Sequence, residues 1–478
     1  MRFSLMFVVF MSTALMASAY DFVSGGIYYN ITSSTNMTAA VTYYSKTNNT
    51  YSGTVTIPEK VTYNGKTYYV TSIGESAFVG CTGLKGVNFA SQRTTSIGNY
   101  AFQGCNGITS FVIPPHITSI GNGVFNGCYG MTGLVIEESE TTLSLGYNSN
   151  LGKGMFYDCP LYSVFIGRPL SYDTRDTFGY SPFALIGSLV KAHFGNPVTR
   201  IGSYLFSGCT SLKTLVYNSQ CKPTTVGEYA FWGCTSLTES DIILPESVRT
   251  FEEGAFKHCT SLLNYTIPNH VTTVGNYAFS YCDRLKTIVI TPSVMSIGNF
   301  AFNGCVALTG VTIEESETTL SLGYNSNLGK GMFYDCPLYS VFIGRPLSYD
   351  TRDAFGYSPF ALNPNLIKSR LGKKLSSVPN NLFYGCTYLD EVISCAVTPP
   401  TANTNCFTNY DAKLYVPKNS VTAYKNANVW KNFSSITGVE IGDDDDPVIP
   451  GSVFGDINGD GIVDVLDVVV LISIVLNN

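Results

Sequence analysis

The sequence predicts a solenoid of short stacked repeats, strand-dominated, with a parallel sheet along one face. Three observations predict it. The chain has 478 residues, more than a single hydrophobic core of roughly 250–300 residues accommodates. One segment recurs through most of it at a spacing of about 24 residues. Within that segment, a short piece alternates apolar and other residues as a strand does. Charged residues make up 13% of the chain, aromatic residues also 13%, and there are 45 glycines. That balance suits strands joined by tight turns. It excludes a disordered chain, which lacks aromatics, and a helical bundle or coiled coil, which is rich in Ala, Glu, Lys and Leu. A net charge of −6 with no basic run argues against nucleic acid as a partner.

Residues 1–19 read as a secretory signal. Arg2 gives the positive start, Leu5 to Met16 the apolar stretch, and Ala17-Ser18-Ala19 the small-residue cleavage site. The stretch is too short to span a bilayer, and so is the later run Val468 to Leu476. No transmembrane segment is expected.

Residues 71–396 carry about 13 repeats. Typical copies are SIGNYAFQGCNGITSFVI from Ser96, TVGNYAFSYCDRLKTIVI from Thr273 and SIGNFAFNGCVALTGVTI from Ser296. The shared pattern is [ST]-[IV]-G-x-x-A-F-x-G-C-x-x-L-x-x-V-x-I. A unit this short cannot bury its own apolar face, so it must stack on copies of itself. Stacking aligns the L-x-x-V-x-I pieces into a parallel sheet. The I-G-x-x-A-F-x-G-C segment then makes the opposite wall, with a short helical turn expected at G-x-x-A-F. Cys81, Cys105, Cys128, Cys159, Cys209, Cys234, Cys259, Cys282, Cys305, Cys336 and Cys386 share one repeat position, which predicts a ladder of buried thiols rather than a chain of disulfides. Cys395 with Cys406 is a candidate bridge off that ladder.

The block Ile136–Leu185 recurs as Ile313–Leu362, differing at one position, Thr177 against Ala354. Recent duplication accounts for this identity; selection for a repeated ligand surface is the alternative.

The repeat pattern resembles the BspA-like (treponemal-type) leucine-rich repeats of bacterial surface proteins. The resemblance implies a leucine-rich-repeat solenoid, secreted or displayed at a bacterial cell surface. It also implies adhesin-like binding of host matrix proteins, glycans or neighbouring cells. Residues 20–70 resemble the β-rich N-terminal cap of such proteins. Residues 397–440, with AKLYVPKNSVTAYKNANVWKNF (Ala412–Phe433), look like their C-terminal cap. Caps make physical sense, because an open sheet edge invites edge-to-edge association.

Residues 441–453 read as an acidic, proline-containing linker, and residues 454–478 as a calcium-binding segment. In GDINGDGIVDVLD, Asp456, Asn458, Asp460, Asp464 and Asp467 offer side-chain oxygens and Ile462 a backbone carbonyl. Those positions wrap oxygens around one Ca²⁺, and Gly461 permits the sharp turn. Asp rather than Glu at the closing position, followed by an apolar helix over Val465–Leu476, resembles one half of a dockerin. A dockerin usually carries two such loops, and this chain has one. The resemblance implies a cohesin-like partner and an alternative role as a non-catalytic part of a dockerin–cohesin extracellular complex.

The chain has no nucleophile elbow, phosphate loop or zinc signature, and His116, His193, His258 and His270 are scattered. No enzyme is expected. In L-x-x-V-x-I the residues flanking V should point outward. Val112, Val135, Phe165, Val216, Val289 and Phe342 occupy the outer position after it, beside a row of small residues such as Ser110, Gly133 and Ser163. A continuous exposed apolar strip would mark an interaction surface.

Overall fold

A typical repeat lays down two strands joined by tight turns. The computed structural model describes residues 19–46, 49–148, 152–174, 180–325, 330–350, 357–442 and 447–448. The secretory signal, apart from Ala19, and the calcium loop fall outside the described residues. So does most of the acidic linker. The described residues divide between two units. One is Met1–Glu137 with Thr141–Leu161 and Leu170–Asp173. The other is Glu138–Glu140 with Tyr162–Pro169 and Thr174–Asn478.

Both units are strand-dominated parallel β-solenoids, as the repeat pattern predicts. In the first, the L-x-x-V-x-I pieces Ser110–Ile113 and Gly133–Ile136 pair in parallel, residue for residue. In the second, Ser163–Ile166, Lys191–Phe194 and Thr214–Tyr217 pair in parallel. A longer run from Asn264–Thr266 to Ser435–Ile441 continues the same arrangement. We call these the long-strand sheets.

The opposite wall holds a second parallel sheet that the pattern did not announce. The [ST]-[IV] dipeptides form two-residue strands. Ser96–Ile97 pairs with Ser119–Ile120 in the first unit, and Thr250–Phe251 with Thr273–Val274 in the second. Two residues are too few to display a period of two, so the alternation test is blind to them.

The helical turn expected at G-x-x-A-F is absent. Alternate backbone N–H groups reach the neighbouring repeat instead: Ser76 N donates to Asn99 O (2.9 Å), Phe78 N to Ala101 O (2.8 Å) and Gly80 N to Gln103 O (2.7 Å), while Ala77 N and Val79 N close tight turns onto Gly74 O and Ser76 O. Ser76 and Gly80 sit at φ +57° and +69°, and left-handed residues do not continue a right-handed helix. The one α-helix among the described residues is Val421–Asn426.

The core is a pile of phenylalanines, one per repeat. In the first unit, Phe78, Phe102, Phe125 and Phe156 stack at 5.1, 5.7 and 5.3 Å between centroids. In the second, the pile runs from Phe183 to Phe407. Such offset stacks add roughly 0.5–1.5 kcal/mol each beyond area burial. Trp430 covers the last ring at 5.5 Å, and its indole N–H donates to Pro400 O at 2.7 Å. At the other end, Tyr51 lies 4.9 Å from Phe78 and donates its hydroxyl to Thr42 O.

All fourteen cysteines are buried, and none is in a disulfide. Cys395 and Cys406 are separate thiols, so the candidate bridge between them is not formed; Cys406 Sγ donates instead to Val378 O and Pro379 O. On the ladder, each thiol from the second rung of a unit onward donates to a phenylalanine carbonyl of the preceding repeat. Examples are Cys105 to Phe78 O (3.1 Å) and Cys259 to Phe231 O (3.2 Å). Asn363 takes the cysteine position in one repeat and does the same work, donating Nδ2 to Phe333 O (3.2 Å) and Cys336 O (2.7 Å).

Candidate binding surface

The alternation of the long strands decides what faces outward. Phe111, Leu134, Val164, Ile288 and Val341 are buried, which turns their neighbours to solvent. In the first unit, Val112 is paired with Val135, and they are 45% and 37% exposed. In the second, Phe165, Val216, Val289 and Phe342 all lie on the outer face and are half-buried. The ladder sets Phe165 beside His193 and His193 beside Val216. Further along it sets Val289 beside Thr312, Thr312 beside Phe342 and Phe342 beside Arg370.

The strip in the second unit is interrupted. Four residues separate Leu237 from Ile242, where two separate Leu262 from Tyr265. The two extra residues lift this repeat off the ladder, and no strand forms between Thr214–Tyr217 and Asn264–Thr266 on this sheet among the described residues. Asp241 closes the bulge, accepting from the Thr238 N–H at 3.0 Å and its hydroxyl at 2.6 Å. Glu239 Oε2 accepts the Leu263 N–H at 3.2 Å, a bond that backbone carbonyls supply elsewhere in the ladder. Ile243 stands at the outer position of this lifted repeat, 72% exposed between buried Ile242 and Leu244.

Charge enters the face where the pattern reading did not place it. Lys191 and Lys368 follow Ser163 and Ser340 in the row of small residues. Arg370 lies over the Phe342 ring, Cζ 4.4 Å from its centroid. Its counterpart at the same repeat position, His193, meets Phe165 edge-on at 4.9 Å. His193 Nε2 is also 2.7 Å from Asn218 Oδ1, and Asn218 Nδ2 donates to Glu138 Oε1 at 2.8 Å. The repeat pattern marks the outer position of Arg370 but not the identity of the residue there. Extending the 177-residue offset from His193 finds it.

Part of the duplicated block is structural. Glu138 Oε1 accepts the backbone N–H of Asn196 (2.8 Å), and its copy Glu315 accepts that of Lys373 (2.7 Å). Arg345 is buried and donates to Pro292 O and Thr291 O at 2.9 and 3.0 Å. Such ties explain why polar residues of the block persist without a ligand.

A separate aromatic cluster on the turn side is already filled by the chain itself. Lys257 Nζ lies 5.9, 5.2 and 5.6 Å from the rings of Tyr229, Tyr277 and Tyr281. No group of three or more His, Cys, Asp or Glu able to hold a metal occurs among the described residues, and no described helix is long and apolar enough to cross a membrane.

The model of the BspA type leucine rich repeat region matches residues 47–182, 176–309, 224–360 and 353–445. No curated protein matches the chain. Among solved structures, it is similar to a leucine-rich repeat protein of Bacteroides ovatus, at 20% identity and a TM-score of 0.42, covering 88% of this chain and all of that one. A leucine rich cell surface protein of Faecalibacterium prausnitzii shares 18% identity over 87% of this chain and 94% of its own, with a TM-score of 0.30. The pneumococcal vaccine antigen PcpA shares 14% over 89% and 100%, with a TM-score of 0.35. With TM-scores this low, the assignment rests on the family model, which spans the repeats from end to end. The chain belongs to the BspA-type leucine-rich-repeat family.

Proposed function

We propose that this chain is a non-catalytic binding protein, secreted and held at a bacterial cell surface. It engages host or bacterial surface proteins or glycans through the outer face of its long-strand sheets. The observation that carries this reading is the outward row: Val112 beside Val135 in the first unit, and Phe165, Val216, Val289 and Phe342 in the second. A row of exposed and half-buried apolar side chains, with two phenylalanines among them, on a regular ladder is the kind of surface that marks an interaction site. The test is a matrix-protein and glycan array probed with the full chain. The ligand found there should bind the Phe165→Ser/Phe342→Ser variant about tenfold or more weakly. Unchanged affinity removes the reading.

The C-terminal loop supports a second element of function. Asp456, Asn458, Asp460, Ile462, Asp464 and Asp467 provide the oxygen donors and spacing for one Ca²⁺. On this reading the tail binds calcium and joins a cohesin-like partner, which would make the chain a scaffold or accessory part of an extracellular complex. Calorimetric titration of the full chain should show one calcium site that Asp456→Ala/Asp460→Ala abolishes. Equal heats from both proteins would sink it. Pull-down with and without EDTA separates the two roles: binding through the repeats survives chelation, and assembly through the tail does not.

A further inference from the structure

The turn wall of the second unit changes character at its last rungs. Two residues before the phenylalanine of the pile, four repeats carry a ring on left-handed backbone. These are Tyr204, Tyr229, Tyr277 and Phe300, at φ +57°, +49°, +55° and +58°. Tyr204 stacks on Tyr229 at 5.2 Å between centroids, and Tyr277 on Phe300 at 4.6 Å. Before Phe383 and Phe407 the same position carries Asn381 and Asn405. Asn381 keeps the left-handed backbone, at φ +61°. The pile beneath is undisturbed, since Phe383 still stacks on Phe407 at 5.5 Å.

Where the rings are missing, the wall is open. A cleft of about 410 Å³ lies there, lined by five asparagines, Asn380, Asn381, Asn403, Asn405 and Asn428, and by Ala402 and Thr404. Asn428 comes from the segment after the helix Val421–Asn426, and the others from two neighbouring turns. Some of the amides are committed. Asn403 Nδ2 donates to Asn380 Oδ1, and Asn405 Oδ1 accepts from the Thr404 hydroxyl at 3.5 Å. The Nδ2 groups of Asn380 and Asn405 and the whole carboxamide of Asn428 have no protein partner among the described residues.

The cleft falls within the size range of small-ligand sites, and its lining fixes the chemistry. No Asp, Glu, Lys, Arg or His is among the lining residues, so a phosphate, carboxylate or ammonium finds no counter-charge. Ala402 is the single apolar side chain there, so a lipid or an apolar peptide finds no floor. Carboxamides offer paired donors and acceptors, two N–H and one C=O per side chain. That suits adjacent hydroxyls, each of which both donates and accepts.

We propose that this cleft is a binding site for a neutral saccharide, with Asn380, Asn405 and Asn428 engaging its hydroxyls. It shares no residue with the outer face of the long-strand sheets and does not rest on the reading of that face.

The test is saturation-transfer NMR on the full chain, titrated with the methyl glycosides of glucose, galactose, mannose and N-acetylglucosamine. Galacturonate and pentaglycine serve as probes of the other chemistries. At least one methyl glycoside should receive saturation. Asn428→Ala should weaken its binding about five- to tenfold, as the loss of one or two hydrogen bonds does. Asn381→Tyr restores the ring found at Tyr204 and Tyr277, so it should close the cleft and abolish the signal. Phe165→Ser/Phe342→Ser should bind the glycoside as the parent chain does. Thermal melts matched to the parent establish that the variants are folded, and Asn428→Ala decides the test if Asn381→Tyr is not. Transfer to none of the glycosides overturns the proposal, and so does transfer that Asn428→Ala and Asn381→Tyr both leave unchanged. Stronger transfer to galacturonate or pentaglycine also overturns it, because the ligand would then be an anion or a peptide. Loss of the signal in Phe165→Ser/Phe342→Ser overturns it too, by moving the saccharide to the outer face. The array result with that variant stands whichever way the asparagine variants fall, so failure of the cleft and failure of the binding face remain distinguishable.

Discussion

A phenylalanine carbonyl in this chain accepts twice, once from a cysteine N–H of its own repeat and once from the thiol of the next. That second bond is why a small residue with a donor recurs there, and why Asn363 replaces cysteine without loss. Burial pushes the thiols up, to about 11 for Cys81 and about 12 for Cys128, Cys209, Cys305 and Cys386. A thiol that stays protonated when folded but ionises near 9 when unfolded stabilises the fold fully below pH 9. That contribution is lost as the pH rises toward the folded value, by up to about 1.4 kcal/mol per pH unit for each rung. Urea melts should therefore show stability falling steeply between about pH 9 and 11, and a flat profile across that range would contradict a protonated ladder. The same burial predicts that a thiol reagent labels none of the fourteen cysteines in the native chain at neutral pH and all of them in denaturant.

At the scale of the element, the repeat is held in shape by two left-handed positions per turn. Gly233 sits at φ +67° with only neighbouring backbone in reach, so Gly233→Ala should cost about 1–2 kcal/mol through backbone strain alone. Gly254 sits at φ +59° with the Tyr229 ring 2.3 Å from where a Cβ would stand, so Gly254→Ala should cost more, because the ring must also move. Urea midpoints of the two variants rank them. Phe256→Ala, which opens the middle of the phenylalanine pile, should cost about 3–5 kcal/mol.

Much of the element was legible beforehand. The spacing of Cys282 and Cys305 gave the period, and Leu285-x-x-Ile288-x-Ile290 gave the strand and its buried side. The two-residue strands were not legible, because Ser96–Ile97 is too short to alternate. The turn wall was misread as a helical turn because Ala101-Phe102 suits a helix locally, while the bonds of Tyr100, Phe102 and Gly104 to the next repeat override that preference. The lifted repeat at Thr238–Asp241 was visible as two extra residues. Its consequence, an exposed Ile243, needed the structure.

At the scale of the whole molecule, stability within each unit sums over repeats and the interfaces between neighbouring repeats. A damaged interior rung such as Phe256→Ala should broaden the unfolding transition more than the same change at Phe407, where Trp430 and Phe433 also hold the ring. Of the binding face, the six apolar positions were legible from the repeat, while Arg370 over Phe342 was not, since stacking across strands depends on register. The most direct measurement is the affinity of the full chain for its array-selected ligand in EDTA, compared with Phe165→Ser/Phe342→Ser of matched thermal stability. Binding should persist in EDTA and weaken about tenfold or more in the variant. Equal affinity in the two proteins, or binding that disappears with chelation, would contradict that expectation.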